Sequence, residues 1–110
     1  MLHLQFRKVK PECEGRLRAW FAELSTRAEE VRETMVAEGA RHELAYILKT
    51  ADGPVLVWAA ELDDPDVASQ TFAQSSHPID IEHERVLSEC LAGPIALEPS
   101  FDFAVTSFAG

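Results

Sequence analysis

Positive charge is what the second half of this chain lacks. Residues 50–110 hold only Arg85 against eleven Asp and Glu, whereas residues 1–49 hold nine Lys and Arg against eight acids. The formal net charge is −9. Nucleic-acid binding relies on clustered cations, and the one tight basic group, Arg7, Lys8 and Lys10, ends a predicted strand. A nucleic-acid interface is therefore not expected. No apolar run reaches the ~18 residues of a membrane span. The first seven residues, Met1 to Arg7, lack the charged-then-apolar layout of an export signal. Cysteine is scarce, and Cys13 and Cys90 match no metal spacing. Two thiols without an export signal point to a reducing cytoplasm and no structural disulfide. There is no glycine-rich phosphate loop and no nucleophile elbow.

What is present reads as one α+β domain over residues 1–110. Leu2, Leu4 and Phe6 alternate with His3, Gln5 and Arg7, the period of a strand with one apolar and one polar face. The strand stops at Lys10-Pro11. Leu17, Trp20, Phe21, Leu24, Ala28, Val31 and Met35 then recur at helical spacing up to a stop at Gly39. That spacing predicts one helix of about 25 residues, near 40 Å long. Within it, Glu14/Arg18 and Glu23/Arg27 are favourable i,i+4 pairs.

His42 to Lys49 and Val55 to Leu62 read as strands joined by a turn at Ala51-Asp52-Gly53-Pro54. The second of them is apolar on both faces, which predicts a central strand covered on both sides. Asp63-Asp64-Pro65-Asp66 opens another helix, and Pro78 opens the next, closed by Gly93-Pro94. Ile95 to Leu97 or, preferred, Phe101 to Val105 supplies the last strand. The order β-α-β-β-α(α)-β is that of a ferredoxin-like sandwich, a four-stranded antiparallel sheet with helices on one face. The other face is expected to expose Trp58 and its apolar neighbours. A second copy stacked face to face would cover such a patch, so a homodimer, a dimeric α+β barrel, is expected.

Several segments carry a family resemblance. They are Val9-Lys10-Pro11, Arg16-Leu17-Arg18-Ala19-Trp20, Val31-Arg32-Glu33-Thr34, Glu38-Gly39 and Pro78-Ile79-Asp80-Ile81-Glu82-His83. With the elements placed, the chain resembles the dimeric α+β-barrel superfamily and, more narrowly, an uncharacterised family of short bacterial proteins. Glu12-Cys13 departs from the Gly-Lys type of turn expected there. The narrow family implies no activity. The wider one implies a small-molecule site between sheet and helices, often without a cofactor, and no cofactor is expected here.

The stretch His77 to Arg85 gathers two of the four histidines with Asp80, Glu82 and Glu84. On a helical wheel, His83 falls among Ile79, Val86, Leu87 and Cys90, the core side, with Asp80 one turn before it. An orienting carboxyl sets a histidine's tautomer and raises its basicity, so His83 and Asp80 are the candidate catalytic pair. The bland alternative is a buried histidine that ties this helix to the sheet by a hydrogen bond.

His77 and Glu84 are competent ligands beside them, but the set lacks the usual helical metal spacing, and no metal site is expected. His3, Gln5 and Arg7 would point into the space between the two sheets of a dimer, where Arg7 suits an anionic group. Tyr46 and Trp58 are candidate pocket walls, and His42-Glu43 reads as surface. Two functions remain open: a homodimer that binds a small organic molecule and acts on it by acid–base chemistry, as an isomerase or cofactor-free monooxygenase does, or a non-enzymatic dimeric module in which His83 and Asp80 are structural.

Overall fold

The computed structural model describes residues 1–105. The chain runs β1 (Leu2–Val9), a 3-10 turn (Pro11–Cys13), α1 (Glu14–Thr26), α2 (Ala28–Glu38), β2 (Ala40–Thr50) and β3 (Gly53–Leu62). It continues through α3 (Pro65–Gln74), α4 (Pro78–Cys90) and β4 (Leu91–Pro94). The strands form one antiparallel sheet in the order β2-β3-β1-β4. This is the ferredoxin-like α+β sandwich that the element order predicts.

Local chemistry explains most boundaries. Pro65 and Pro78 open α3 and α4, where a missing N–H costs nothing. The Asp64 side chain caps α3 by accepting from the N–H groups of Asp66 and Val67, and His77 Nδ1 caps α4 by accepting from Ile79 N–H. Gly39 ends α2 in the left-handed region at φ 72°, which a side chain rarely adopts. Thr50 closes the β2–β3 hairpin by accepting from Asp52 N–H and donating to the Gly53 carbonyl.

Two elements differ from the sequence reading. The single long helix is two, because Arg27 leaves the helical region at φ −113°, ψ 47°. Its guanidinium bonds Glu23 and Glu30 on either side of the break and reaches Glu82 of α4 at 2.8 Å. One cation thus collects three acids from three helices, and a straight helix would not present it to all of them. The final strand is Leu91–Pro94, earlier than Ile95–Leu97 or Phe101–Val105. Leu91 enters the core at 5% exposure, opposite Val9, and Ile95 N–H bonds the Phe6 carbonyl at 2.7 Å. Pro94 is tolerated because β4 is an edge strand. Phe101, Phe103 and Val105 lie outside regular structure and are exposed.

The helices pack on one side of the sheet around Leu17, Trp20, Leu56, Ile79, Val86 and Cys90. Leu17 and Ile79 are fully buried, each contributing roughly 1.5–3 kcal/mol of transfer free energy. The register decides which side each strand residue faces. His3 pairs with Ala60, Gln5 with Trp58 and Arg7 with Leu56, and residues opposite one another share a face. Ala60 and Leu56 are buried under the helices, so His3, Gln5, Arg7 and Trp58 also turn toward the helices. This corrects both expectations: the polar side of β1 does not point away from the helices, and Trp58 is not on the open face. The open face carries Leu2, Leu4 and Phe6 of β1, Val55 and Val57 of β3, and Leu44, Tyr46 and Leu48 of β2.

Candidate functional site

Between sheet and helices lies a cavity of about 220 Å³. The sheet makes its floor, and α2, α3 and α4, with Leu24 of α1, make its roof. Leu56, Trp58, Val31, Met35, Phe72 and Ile79 contribute to its apolar wall. The exposed residues Gln5 and Ser69 stand at its rim and open it to solvent.

His83 is the polar centre. Its ring sits among Trp58 at 5.6 Å, Phe72 at 5.7 Å and Trp20 at 6.0 Å between centroids. Trp20 Nε1–H donates to His83 Nδ1 at 2.7 Å. An indole nitrogen can only donate, so Nδ1 must offer its lone pair and the proton of the neutral ring sits on Nε2. Nε2 has no hydrogen-bond partner among the described residues. Burial pushes the His83 pKa down to about 4, and the neighbouring Asp80 only partly offsets this. The expected gain in basicity from Asp80 is thus reversed, because desolvation outweighs one carboxyl that makes no hydrogen bond to the ring. Near neutral pH His83 is an uncharged donor, not a strong base.

Asp80 is buried at 8% exposure and lines the cavity. No group among the described residues hydrogen-bonds or ion-pairs with its carboxyl. Glu38, at the end of α2, and Glu43, on β2 opposite Ala60, line the same region. Burial raises Glu38 to about 8, with Glu43 and Asp80 adding repulsion. Burial and then Asp80 raise Glu43 to about 6. These are carboxyls held near the range useful for proton transfer. Glu43 corrects its reading as surface: the alternation of β2 sends it inward, beside a strand whose helix-facing residue there is the small Ala60. Glu38 sits beside the helix stop at Gly39, a position that reads as polar and terminal. A carboxyl flanking each end of a predicted α-to-β turn was the only signal available.

Arg7 stands four residues from His3 along β1, about 13 Å away. Its Nε is buried without a partner, and the side chain lines the cavity. The structure therefore gathers His83, Asp80, His3, Gln5, Arg7 and Trp58 around one cavity and leaves out three candidates. Tyr46 is exposed on the open face of the sheet. His77 is spent on capping α4 and on Glu33, 3.0 Å from Nε2. Glu84 is exposed on α4 and does not line the cavity. His77, Asp80, His83 and Glu84 consequently do not converge on a point, and no group of three metal-ligating side chains is assembled among the described residues.

Residues 2–107 match the profile of a family of unknown function, DUF6176. The chain belongs to that family. The match spans nearly the whole chain, so the cavity is built entirely from the DUF6176 region. In fold the chain is similar to Rv0793 from Mycobacterium tuberculosis, with a TM-score of 0.51 and 18% identity over 94% of this chain and 97% of that one. At that identity the likeness extends to the fold alone. No curated protein matches the sequence. No helix among the described residues is long and apolar enough to cross a membrane.

Proposed function

We propose that this protein binds a small organic molecule in the cavity under its sheet and supports acid–base chemistry there, as a homodimer joined through the open sheet face. The observation that carries the reading is the Trp20–His83 hydrogen bond. It commits Nδ1 to the protein and leaves Nε2–H for a ligand oxygen. A neutral imidazole donor in one cavity with a carboxyl of raised pKa is an arrangement suited to enolisation. Glu43 takes a proton from a carbon next to a carbonyl, His83 Nε2–H stabilises the oxygen that gains charge, and Glu43 returns the proton elsewhere on the same skeleton. The net reaction is an isomerisation that needs no cofactor. Arg7, whose side chain lines the cavity, positions a second acceptor group of the ligand.

The dimer rests on the open face. Leu4, Leu44, Tyr46 and Leu48 are each 43–55% exposed there. A contiguous patch of this kind is rarely left in water, and an isologous pairing covers it with one surface. The free thiols Cys13 and Cys90 fit a reducing cytoplasm.

A second reading, a non-enzymatic binding module, draws on the same hydrogen bond, because it ties α1 to α4 and three aromatic rings pack on the imidazole. The substitution His83→Asn separates them. It keeps an acceptor near Trp20 Nε1 and removes the Nε2–H. Native mass spectrometry of the purified wild type is expected to give twice 12.2 kDa, with any co-purified ligand as added mass. Under the first reading His83→Asn keeps its Tm and loses ligand binding, followed by Trp fluorescence. A large fall in Tm with binding intact supports the second.

A further inference from the structure

The cavity is polar at both ends, and the two ends are opposite in charge. At one end stand three carboxyls from three elements: Asp80 of α4, Glu38 of α2 and Glu43 of β2. At the other stands Arg7. The remaining titratable groups lining the cavity are His3 of β1 and His83 of α4. Acidic side chains gathered in this way are often satisfied by Lys or Arg, and elsewhere in this protein they are. Arg27 collects Glu23, Glu30 and Glu82, and Arg16 pairs with Glu89. Neither Glu38, Glu43 nor Asp80 has an ion-pair or hydrogen-bond partner for its carboxyl among the described residues. Asp80 is more than nine-tenths buried and faces the cavity.

A buried carboxyl without a donor is costly unless something else supplies one. In the empty protein water can do so, and near neutral pH the proton held by Glu38 relieves part of the mutual repulsion, but neither supplies a positive charge. A bound cation does, and it displaces that proton. The wall beside them is also suited to one, since Trp58 and Phe72 flank the space around His83 and aromatic faces attract organic cations. The acidity of the chain as a whole, −9, raises the local concentration of cations at its surface.

We propose that the Asp80–Glu38–Glu43 end of the cavity binds the ammonium group of a small organic amine, whose apolar body lies against Trp58 and Phe72. This names the ligand class for the cavity reading above and rests on that reading, though not on the proton transfer. Asp80 is the anchor, and Glu38 and Glu43 line the same end of the cavity without converging with it on one point. Burial of an ammonium beside Glu38 favours its charged form, so binding releases a proton near neutral pH.

Three probes of similar shape test the idea: 2-phenylethylamine, 2-phenylethanol and 3-phenylpropionate. Each is titrated calorimetrically into the wild-type protein in two buffers of different ionisation heat, with the His83 Nε2–H resonance as a marker of the cavity. The amine is expected to bind at least about tenfold tighter than the alcohol, which corresponds to about 1.4 kcal/mol, and to release a fraction of a proton. Asp80→Asn should remove that advantage and leave the alcohol unchanged. Should Asp80→Asn not fold, Glu43→Gln carries the same comparison. If the alcohol or the acid binds as well as the amine and shifts the His83 signal, the cavity is a ligand site and the cation assignment is wrong. If none of the three binds, the cation assignment and the cavity reading fall together.

Discussion

The two faces of the sheet are built from the same three strands and differ in an unusual way: polar side chains are gathered under the helices, and a row of apolar ones is left in the open. The face under the helices carries His3, Gln5, Arg7 and Glu43. The face turned to solvent carries Leu2, Leu4, Phe6, Leu44, Tyr46 and Leu48. In a one-sided sandwich the apolar face normally meets the helices. Here the helices meet a mixed face, on which His3, Gln5, Arg7 and Glu43 stand among Leu56, Trp58 and Ala60, and a cavity lies beside the core. Under the proposed function the two features belong together: the covered face would take a ligand and the open face a second copy.

The largest effect should come from charging the open face. Leu4→Asp with Leu44→Asp would place four carboxylates in the interface of a dimer, each costing several kcal/mol if buried unpaired. Native mass spectrometry should then show a folded monomer of 12.2 kDa in place of the dimer; an unchanged dimer would mean that another surface joins the copies. Under the sheet, Trp20→Phe removes the donor to His83 Nδ1. The expected loss is ~1–3 kcal/mol in denaturant unfolding, with a mixture of tautomers appearing in the imidazole ¹⁵N spectrum. A single, unchanged tautomer would show that Trp20 does not set it.

The pH dependence of stability sharpens the picture of the covered face. Glu38 has a folded pKa raised from 4.5 to about 8. The folded state therefore binds the proton more tightly, its contribution is fully present below about 4.5, and it is lost as pH rises through about 8. Glu43, raised to about 6, behaves alike over a narrower window. His83 runs the other way. Its folded pKa is lowered from 6.5 to about 4, so its neutral form favours folding above 6.5, and that contribution is lost as pH falls toward 4. Glu38→Gln should thus stabilise the protein above pH 8 by roughly 1–2 kcal/mol and do little at pH 5. Equal Tm changes at both values would place Glu38 in water. The smallest effect belongs to a residue outside both faces. His77→Ala removes the α4 cap at a cost of about 1 kcal/mol and should leave ligand affinity in the cavity untouched. A loss of affinity would bring His77 back into the site.

The sequence by itself determined the element types, the order βαββαβ, the hairpin at Asp52-Gly53, the helix stop at Gly39 and the inward placement of His83. Each follows from local chemistry or from a periodicity that one segment carries alone. It did not determine the break at Arg27, which depends on Glu82 lying 55 residues away, nor the choice of Leu91–Pro94 as last strand, which depends on Val9. Alternation along β1 and β2 announced that their faces differ, but a period of two does not say which face is in. That choice belongs to the sheet as a whole, because pairing with β3 turns His3, Gln5, Arg7 and Glu43 to one side together. Only the tertiary structure could bring Trp20 to His83 and Glu38 to Glu43 and Asp80, and so decide that the histidine is a neutral donor. Desolvation and neighbouring charge are properties of a place in the fold, and no stretch of sequence contains them.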